Sequence, residues 1–350
     1  MLIAVSNVHE NITTDNYLFK NVNVSAGDNL LESWHDLYSY AQTFGIDVCT
    51  PDTVDLAEID AFIFNDMPHR KNKYFKFAIE KNVPSYLLVS ENGLMASDNL
   101  NPKCHIYFKK IFTYYDKQVD NVKYFKINYS FRLPAKINKD LSARSNFCIM
   151  IAGNKYFLHP QELYSERLKA IRWFEKYHPD EFDLYGIDWD GKLIWTKNRT
   201  LNKAIKILSR FSFIKKILTA KYPSYKGFVE RKAPLLSKYR FSICYENCRD
   251  ISGYITEKIL DCLFAGCVPI YLGADNVSSH IPDNCFIDKR NFSDYDKLYC
   301  YLKQMSEGDY LRYLDNIENF LKSEKARQFS TQYFSEAIVN EIKKDLMHDR

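Results

Sequence analysis

The chain has 350 residues, 46% of them hydrophobic and 26% charged, with a formal net charge of +4. A length of this order predicts about two domains, each large enough to bury its own core. A charge so close to balance gives no argument for nucleic acid, and no apolar run is long enough to cross a bilayer as a helix.

The opening residues, Met1-Leu-Ile-Ala-Val-Ser, are too short and lack the basic leader of a secretory signal; they read as a first strand. Strand-like and helix-like runs then alternate to about residue 135. Leu2 to Val5, Ile46 to Cys49, Ala61 to Phe64 and Ser85 to Val89 are short apolar runs, while Asn29 to Phe44 and Lys71 to Lys81 carry helical patterning. Such alternation predicts a parallel sheet with helices on both faces. The strand Tyr86-Leu-Leu-Val-Ser ends at Glu91-Asn92-Gly93. A carboxylate just past a strand end, where a sheet opens onto a cleft, suits a general base; an ordinary loop glutamate fits the same residues. Ile106 to Tyr115 and Val122 to Tyr129 read as two more strands, with Asp116 as a fallback base. Pro134 to Ser145, with Lys136, Lys139, Asp140 and Arg144 and few large apolar residues, reads as an interdomain linker.

A second strand-helix-strand unit follows: Asn146 to Gly153, a helix from about Pro160 to Tyr177, and Phe182 to Gly186. From Leu201 to Lys221 the apolar residues Leu201, Ile205, Leu208, Phe211, Ile214 and Leu218 recur at three or four, which predicts one amphipathic helix. Lys203, Lys206, Arg210, Lys215, Lys216 and Lys221 make its polar side basic. Such a helix either lies on an anionic membrane surface or packs on the second domain with the basic side in water. In the turn Tyr225-Lys-Gly-Phe-Val229, Lys226 is a candidate phosphate or acceptor contact.

Chemistry concentrates between Tyr239 and Gly273. A strand from Phe241 to Tyr245 ends in Glu246-Asn247, a helix opens at Thr256-Glu257-Lys258, and a second strand, Val268 to Leu272, ends in Gly273. Ligands of open α/β sheets sit beyond the carboxyl ends of the strands. Thr256 is a plausible N-cap, and the free N–H groups of the first turn favour an anion. Lys258 runs against the preference for acids at a helix start, a misplacement that a bound anion would relieve. Glu257 suits sugar or ribose hydroxyls, and a solvated Glu-Lys pair is the plain alternative. Beyond Gly273 come a short strand, Cys285 to Asp288, and helices from about Asp294 to Met305, Tyr310 to Lys322 and Arg327 to Asp345. Nine cysteines, among them Cys148, Cys244, Cys262, Cys267 and Cys285, form no C-x-x-C pattern and read as free core thiols in a reducing cytoplasm.

The ordered run Tyr245-Glu-Asn247, Gly253-Tyr-Ile-Thr-Glu-Lys-Ile259 and Ala265-Gly-Cys-Val-Pro-Ile-Tyr-Leu-Gly273, with Ile281-Pro282 and Phe286-Ile-Asp288, resembles the signature of the α1,3/4-fucosyltransferases of glycosyltransferase family 10. The likeness is strong over 239–288 and looser over 146–186. In the first half it rests on Ser90-Glu91-Asn92, without the proline that often follows. It implies the GT-B fold, two Rossmann-like domains facing a cleft: 1–140 on the acceptor side, 146–328 holding the donor, and 329–350 as a helix packing back across the junction.

The resemblance also implies inverting transfer of L-fucose from GDP-β-L-fucose, with an α1,3-type linkage. Glu91 would be the base. Arg167, in Ser165-Glu166-Arg167, would meet the pyrophosphate with a fork of donors that lysine lacks, with Arg172 as the nearby alternative. Glu246, Asn247, Tyr254, Thr256, Glu257 and Lys258 would complete the donor site. No Asp-x-Asp stands in a setting that places it at the donor, so an essential divalent ion is not expected, nor any cofactor beyond GDP-fucose. The implied acceptor is an oligosaccharide or lipid-linked glycan of bacterial lipopolysaccharide or other surface polysaccharide, met at the cytoplasmic face of the membrane. The competing readings are a transferase of the same fold using another nucleotide sugar, and a non-catalytic nucleotide- or glycan-binding protein.

Overall fold

The computed structural model describes residues 1–7, 14–22, 29–196 and 198–348. Among these, eleven strands build two sheets, and every pairing within them is parallel. The first sheet holds β1 (Leu2–Asn7), β2 (Asp47–Cys49), β3 (Ala61–Asn65), β4 (Ser85–Val89), β5 (Lys110–Thr113) and β6 (Tyr124–Lys126), in the order β2-β1-β3-β4-β5-β6. The second holds β7 (Asn146–Ile151), β8 (Phe182–Tyr185), β9 (Tyr239–Tyr245), β10 (Val268–Leu272) and β11 (Ile287–Asp288), in the order β11-β10-β9-β7-β8. Every residue of β3, β4 and β10 is buried, as befits strands covered on both faces. Strand order reverses between β1 and β3 in one sheet and between β7 and β9 in the other, the points where open sheets bind ligands.

Two local expectations change. The run Ile106 to Tyr115 is not one strand: a 3-10 helix, Pro102–Tyr107, capped by the Asn101 side chain, precedes β5 and leaves Ile106 and Tyr107 in solvent. The run Leu201 to Lys221 is two helices, Arg199–Leu208 and Ser212–Leu218, parted where Phe211 takes an extended backbone; the Lys216 side chain lies outside the described residues. Within the stretch read as a linker, Arg144 is anchored. It is buried, and its guanidinium donates to the carbonyl oxygens of Asn138, Ser237 and Ala265. In a segment poor in apolar side chains, those buried carbonyls need such a donor.

Just before the last helix, Thr331–His348, the chain returns to the segment after β6, where the Phe131 N–H donates to the Phe329 carbonyl and the Thr331 N–H to that of Phe131. The last helix packs on the helix Glu32–Gln42, with Phe334 edge-on to Trp34, and Lys110 pairs with Glu341 and Asp345. Residues 349 and 350 lie outside the described residues.

The two sheets turn their carboxyl ends toward each other and are pinned nearby. Asp116, past β5, accepts from Lys126 at 2.6 Å, and from His280 at 2.8 Å and Asn276 at 2.7 Å across the junction. Burial alone would raise its carboxyl, but the His280 and Lys126 contacts outweigh that and hold it well below the usual carboxylate range. Asp116 is therefore a clasp and not the fallback base. Beside it Gly253 has φ +80°, and an added Cβ would sit 2.2 Å from the Tyr114 carbonyl oxygen. Only glycine allows the two halves to meet there.

Candidate active site

Between the facing edges lies a cavity of about 550 Å³, within the range of about 300–1,000 Å³ usual for small-molecule sites. Glu91 and Tyr129 line it from the first half. Gly153 and Lys155 enter after β7, Gly186 and Ile187 after β8, and Asn247 and Tyr254 after β9. The helix Glu257–Ala265 adds Glu257, Lys258 and Asp261, and Lys232 stands beside it.

Glu91 is held by its own loop. Its backbone N–H and that of Ser90 donate to Asp66 Oδ1, at 2.9 and 2.8 Å, and the Ser90 hydroxyl donates to Asp66 Oδ2 at 2.6 Å. Asn99 ties the two together, donating to Asp66 Oδ1 and to the Glu91 carbonyl. The Glu91 carboxylate accepts twice at Oε1, from the Asn92 backbone N–H at 2.9 Å and its side-chain amide at 2.7 Å. Oε2 has no hydrogen-bond partner among the described residues. Burial raises the carboxyl above its ordinary value and the Asp66 carboxylate adds to this, while Lys258 and Lys155 pull the other way. A carboxylate with one fixed and one open oxygen, made more basic by burial, is equipped to take a proton.

Across the cavity Arg167 is buried, with Nε and Nη2 donating to the Tyr245 carbonyl at 3.2 and 2.7 Å and Nη2 to Asn247 Oδ1 at 3.0 Å. Nη1 has no partner among the described residues, so one arm of the fork is left for a ligand. The Arg167 bond fixes the Asn247 amide so that its Nδ2 donates to the Tyr254 hydroxyl at 3.4 Å. From the other side Asn92, oriented by Leu94 and Met95 N–H donors to its Oδ1, donates to the same hydroxyl at 3.2 Å. Tyr254 thus accepts from both halves of the molecule.

The start of the helix departs from the sequence reading. Thr256 is its N-cap, but the anion at this helix start is the protein's own Glu246. That carboxylate is fully buried and accepts from the Thr256 N–H at 2.9 Å and the Thr256 hydroxyl at 2.7 Å. The Lys258 N–H is taken by Thr256 Oγ1. Neither Glu246 nor Thr256 lines the cavity; they stand behind its wall. Lys258 Nζ lies 3.1 Å from Glu257, 3.2 Å from Thr256 Oγ1 and 3.7 Å from Glu246, so two glutamates offset its place at a helix N-terminus. Burial alone would raise Glu257, but Lys258 and Lys232 outweigh it and hold the carboxyl at about 2.

The structure therefore brings Glu91, Arg167, Asn247, Tyr254, Glu257 and Lys258 around one cavity and leaves Glu246 and Thr256 in support. Lys226 is outside it. Its side chain is half exposed and its amine lies 3.5 Å from Asp183, which takes it outside the cavity lining. Four contributors were missed: Lys155, Lys232, Tyr129 and the Asp66–Asn99 cradle. Lys155 had a usable signal, standing two residues past Gly153 at a strand end. Asp66 follows β3 as Glu91 follows β4, a parallel visible only once the strands are known to be neighbours.

Residues 196–345 match the family model for glycosyltransferase family 10 (fucosyltransferase), C-terminal domain. An α-(1,3)-fucosyltransferase of Helicobacter pylori is 35% identical over 77 residues, 22% of this chain and 16% of that protein. The aligned stretch is thus less than a fifth of that relative. A solved α1,3-fucosyltransferase matches along 100% of this chain and 91% of its own, with a TM-score of 0.53 at 14% identity. The Anabaena protein HepE, solved with UDP and glucose, matches along 98% of this chain and 99% of its own, with a TM-score of 0.53 at 9% identity. At such identities these two likenesses establish the fold, which is GT-B.

Proposed function

We propose that this chain, whose residues 196–345 match the C-terminal model of glycosyltransferase family 10, moves L-fucose from GDP-β-L-fucose to a hydroxyl of an acceptor glycan, inverting the anomeric carbon. The observation that carries this is the pairing, across one cavity, of an open, burial-raised Glu91 carboxylate with the unpaired Nη1 of Arg167 and the amine of Lys258. Inversion needs a single displacement. The acceptor oxygen forms a bond to C1 of fucose, Glu91 Oε2 takes its proton, and the bond from C1 to the phosphate oxygen breaks, with the electron pair leaving on GDP. Arg167 and Lys258 are placed for the charge that develops on the diphosphate. Tyr254, accepting from Asn92 and Asn247, keeps its own proton to donate to the sugar or phosphate, and Glu257, ionised, accepts from ribose or fucose hydroxyls. Lys155 adds positive charge at the rim, while Lys232, paired with Asp261 at 2.9 Å, helps keep Glu257 ionised.

On this reading the donor lies mainly in the region 146–328 and the acceptor mainly against 1–140, with 329–350 fastening the two. The family name and the H. pylori relative support fucose and an α1,3-type linkage. The acceptor class that fits is an oligosaccharide or lipid-linked glycan of the bacterial cell surface. A second reading, another nucleotide sugar, is kept in play by the equal fold likeness to HepE. Titration calorimetry with GDP and UDP, followed by donor turnover with GDP-fucose, GDP-mannose and UDP-sugars, separates the two. Preference for GDP and turnover of GDP-fucose is expected; turnover of a UDP-sugar alone overturns the assignment.

A further inference from the structure

The segment between β8 and β9 carries chemistry that the cavity does not use. From Gly191 to Val229 the sequence holds eight lysines, two arginines and no acidic residue. That is +10 within a chain of net +4, so the remainder carries −6 (+4 less +10). The segment is built as a projecting hairpin of helices. Leu193 bridges Thr219, Ile194 donates to the Leu218 carbonyl and Ala220 to that of Lys192, closing its base, and the helices Arg199–Leu208 and Ser212–Leu218 form its body.

Its apolar residues are not buried against the sheet. Of the 22 large apolar side chains exposed among the described residues, nine lie between Ile187 and Phe228. Phe213 is 75% exposed, Phe211 65% and Ile217 61%, whereas Ile205 is the one large apolar side chain of the two helices that is buried. Lys203, Lys206, Arg210 and Lys215 are exposed beside them. Packing on the second domain with only the basic side in water, one of the two readings of the sequence, is not what this segment does. Apolar patches of this kind mark interaction surfaces. Aromatic and aliphatic side chains among unopposed lysines and arginines match the interface of a bilayer with anionic headgroups.

We propose that this hairpin docks the protein on an anionic lipid surface and so presents the cavity to acceptors held there. The link to the cavity is covalent and short. Gly186 and Ile187, where the excursion leaves, and Phe228 and Val229, where it returns, all line the cavity rim. A bilayer engaged by the hairpin therefore stands beside the cavity mouth, and the acceptor it favours is a saccharide carried on a lipid. This second part rests on the transferase reading above; the docking itself does not.

The test is flotation of the full chain with vesicles of phosphatidylcholine alone or mixed with phosphatidylglycerol. Binding is expected only with the anionic lipid and is lost as salt is raised. The triple variants Phe211→Ser/Phe213→Ser/Ile217→Ser and Lys203→Glu/Arg210→Glu/Lys215→Glu should each weaken it by about tenfold or more. Both should keep the wild-type Tm and unchanged transfer to a water-soluble acceptor, since none of these residues lines the cavity. With the same acceptor saccharide on a lipid in anionic vesicles, apparent KM should fall for the wild type and not for the variants. Failure to float with anionic vesicles at low salt, or binding that both variants retain, overturns the proposal. So does a concentration-dependent dimer that the serine variant dissolves without any vesicle binding, which assigns the surface to a second copy. Flotation without a KM advantage on lipid-borne acceptor removes the second part and leaves the docking.

Discussion

Both sheets end in the same dipeptide. Glu91-Asn92 follows β4 in the first and Glu246-Asn247 follows β9 in the second, and in both the asparagine Nδ2 donates to Tyr254. Burial raises both glutamates. What separates them is who occupies the second oxygen. Glu246 engages both oxygens with Thr256 and stands behind the cavity wall, so it fixes a helix start and through it Lys258. Glu91 spends one oxygen on its own neighbour and leaves the other open. The same residue type past the carboxyl end of a strand becomes a scaffold in one half and a reagent in the other, and hydrogen-bond partners decide which.

The largest test of this contrast is Glu91→Gln. Transfer should fall by about 10²–10⁴-fold, the usual size of a general-base contribution, while GDP affinity by calorimetry stays near wild type. A transfer rate close to wild type removes Glu91 from the role. The stability sign runs opposite to the activity. A carboxyl raised by burial binds its proton more readily folded than unfolded, so its contribution to stability drops as pH rises through the raised value. Glutamine lacks that cost, so Glu91→Gln should raise Tm at neutral pH, with the gain vanishing in acid. Arg167→Ala comes next, with GDP affinity lost by about 1.5–3 kcal/mol for a charge-assisted contact, and Arg167→Lys should not restore it. Glu246→Ala should do the reverse of Glu91→Gln. It strands the Thr256 donors and the Lys258 partner, costing about 1–3 kcal/mol of stability, seen as a lowered Tm. An unchanged Tm would mean that Glu246 is not the anchor described.

The strands, the helix opening at Thr256 and the cluster from Asn247 to Lys258 were legible because each rests on local order: apolar runs, an N-cap and a contiguous signature. Glu91 was legible for its place past a strand, and Arg167 only through the family likeness, since nothing local tells a buried arginine from Arg172 on the same helix. What sequence misassigned depends on partners far away in the chain. Glu246 looked like a ligand contact because its partner, ten residues on, also looked like one. Asp116 looked available until His280, 164 residues later, closed on it. That Arg144 would be buried was not legible, because the carbonyls it serves come from three separate segments. Apolar periodicity from Leu201 to Lys221 identified helix but could not say that its apolar side would stay uncovered.

Lys155 gives the smallest and most discriminating test. It is exposed at the cavity rim and acts on Glu91 only through its charge, as Lys258 also does. If Glu91 is the base, activity is lost on the acid side as its carboxyl is protonated, at a pH above that of an ordinary carboxylate. Removing Lys155 removes a cation that favours the ionised form, so Lys155→Ala should move that acid limb to still higher pH. High salt should shrink the difference, because an exposed charge is screened while the buried ones are not. Glu246 offers no such limb, since its proton exchanges with no substrate. An acid limb that does not respond to Lys155→Ala would place the titrating group elsewhere than Glu91, and the division between scaffold and reagent would have to be redrawn.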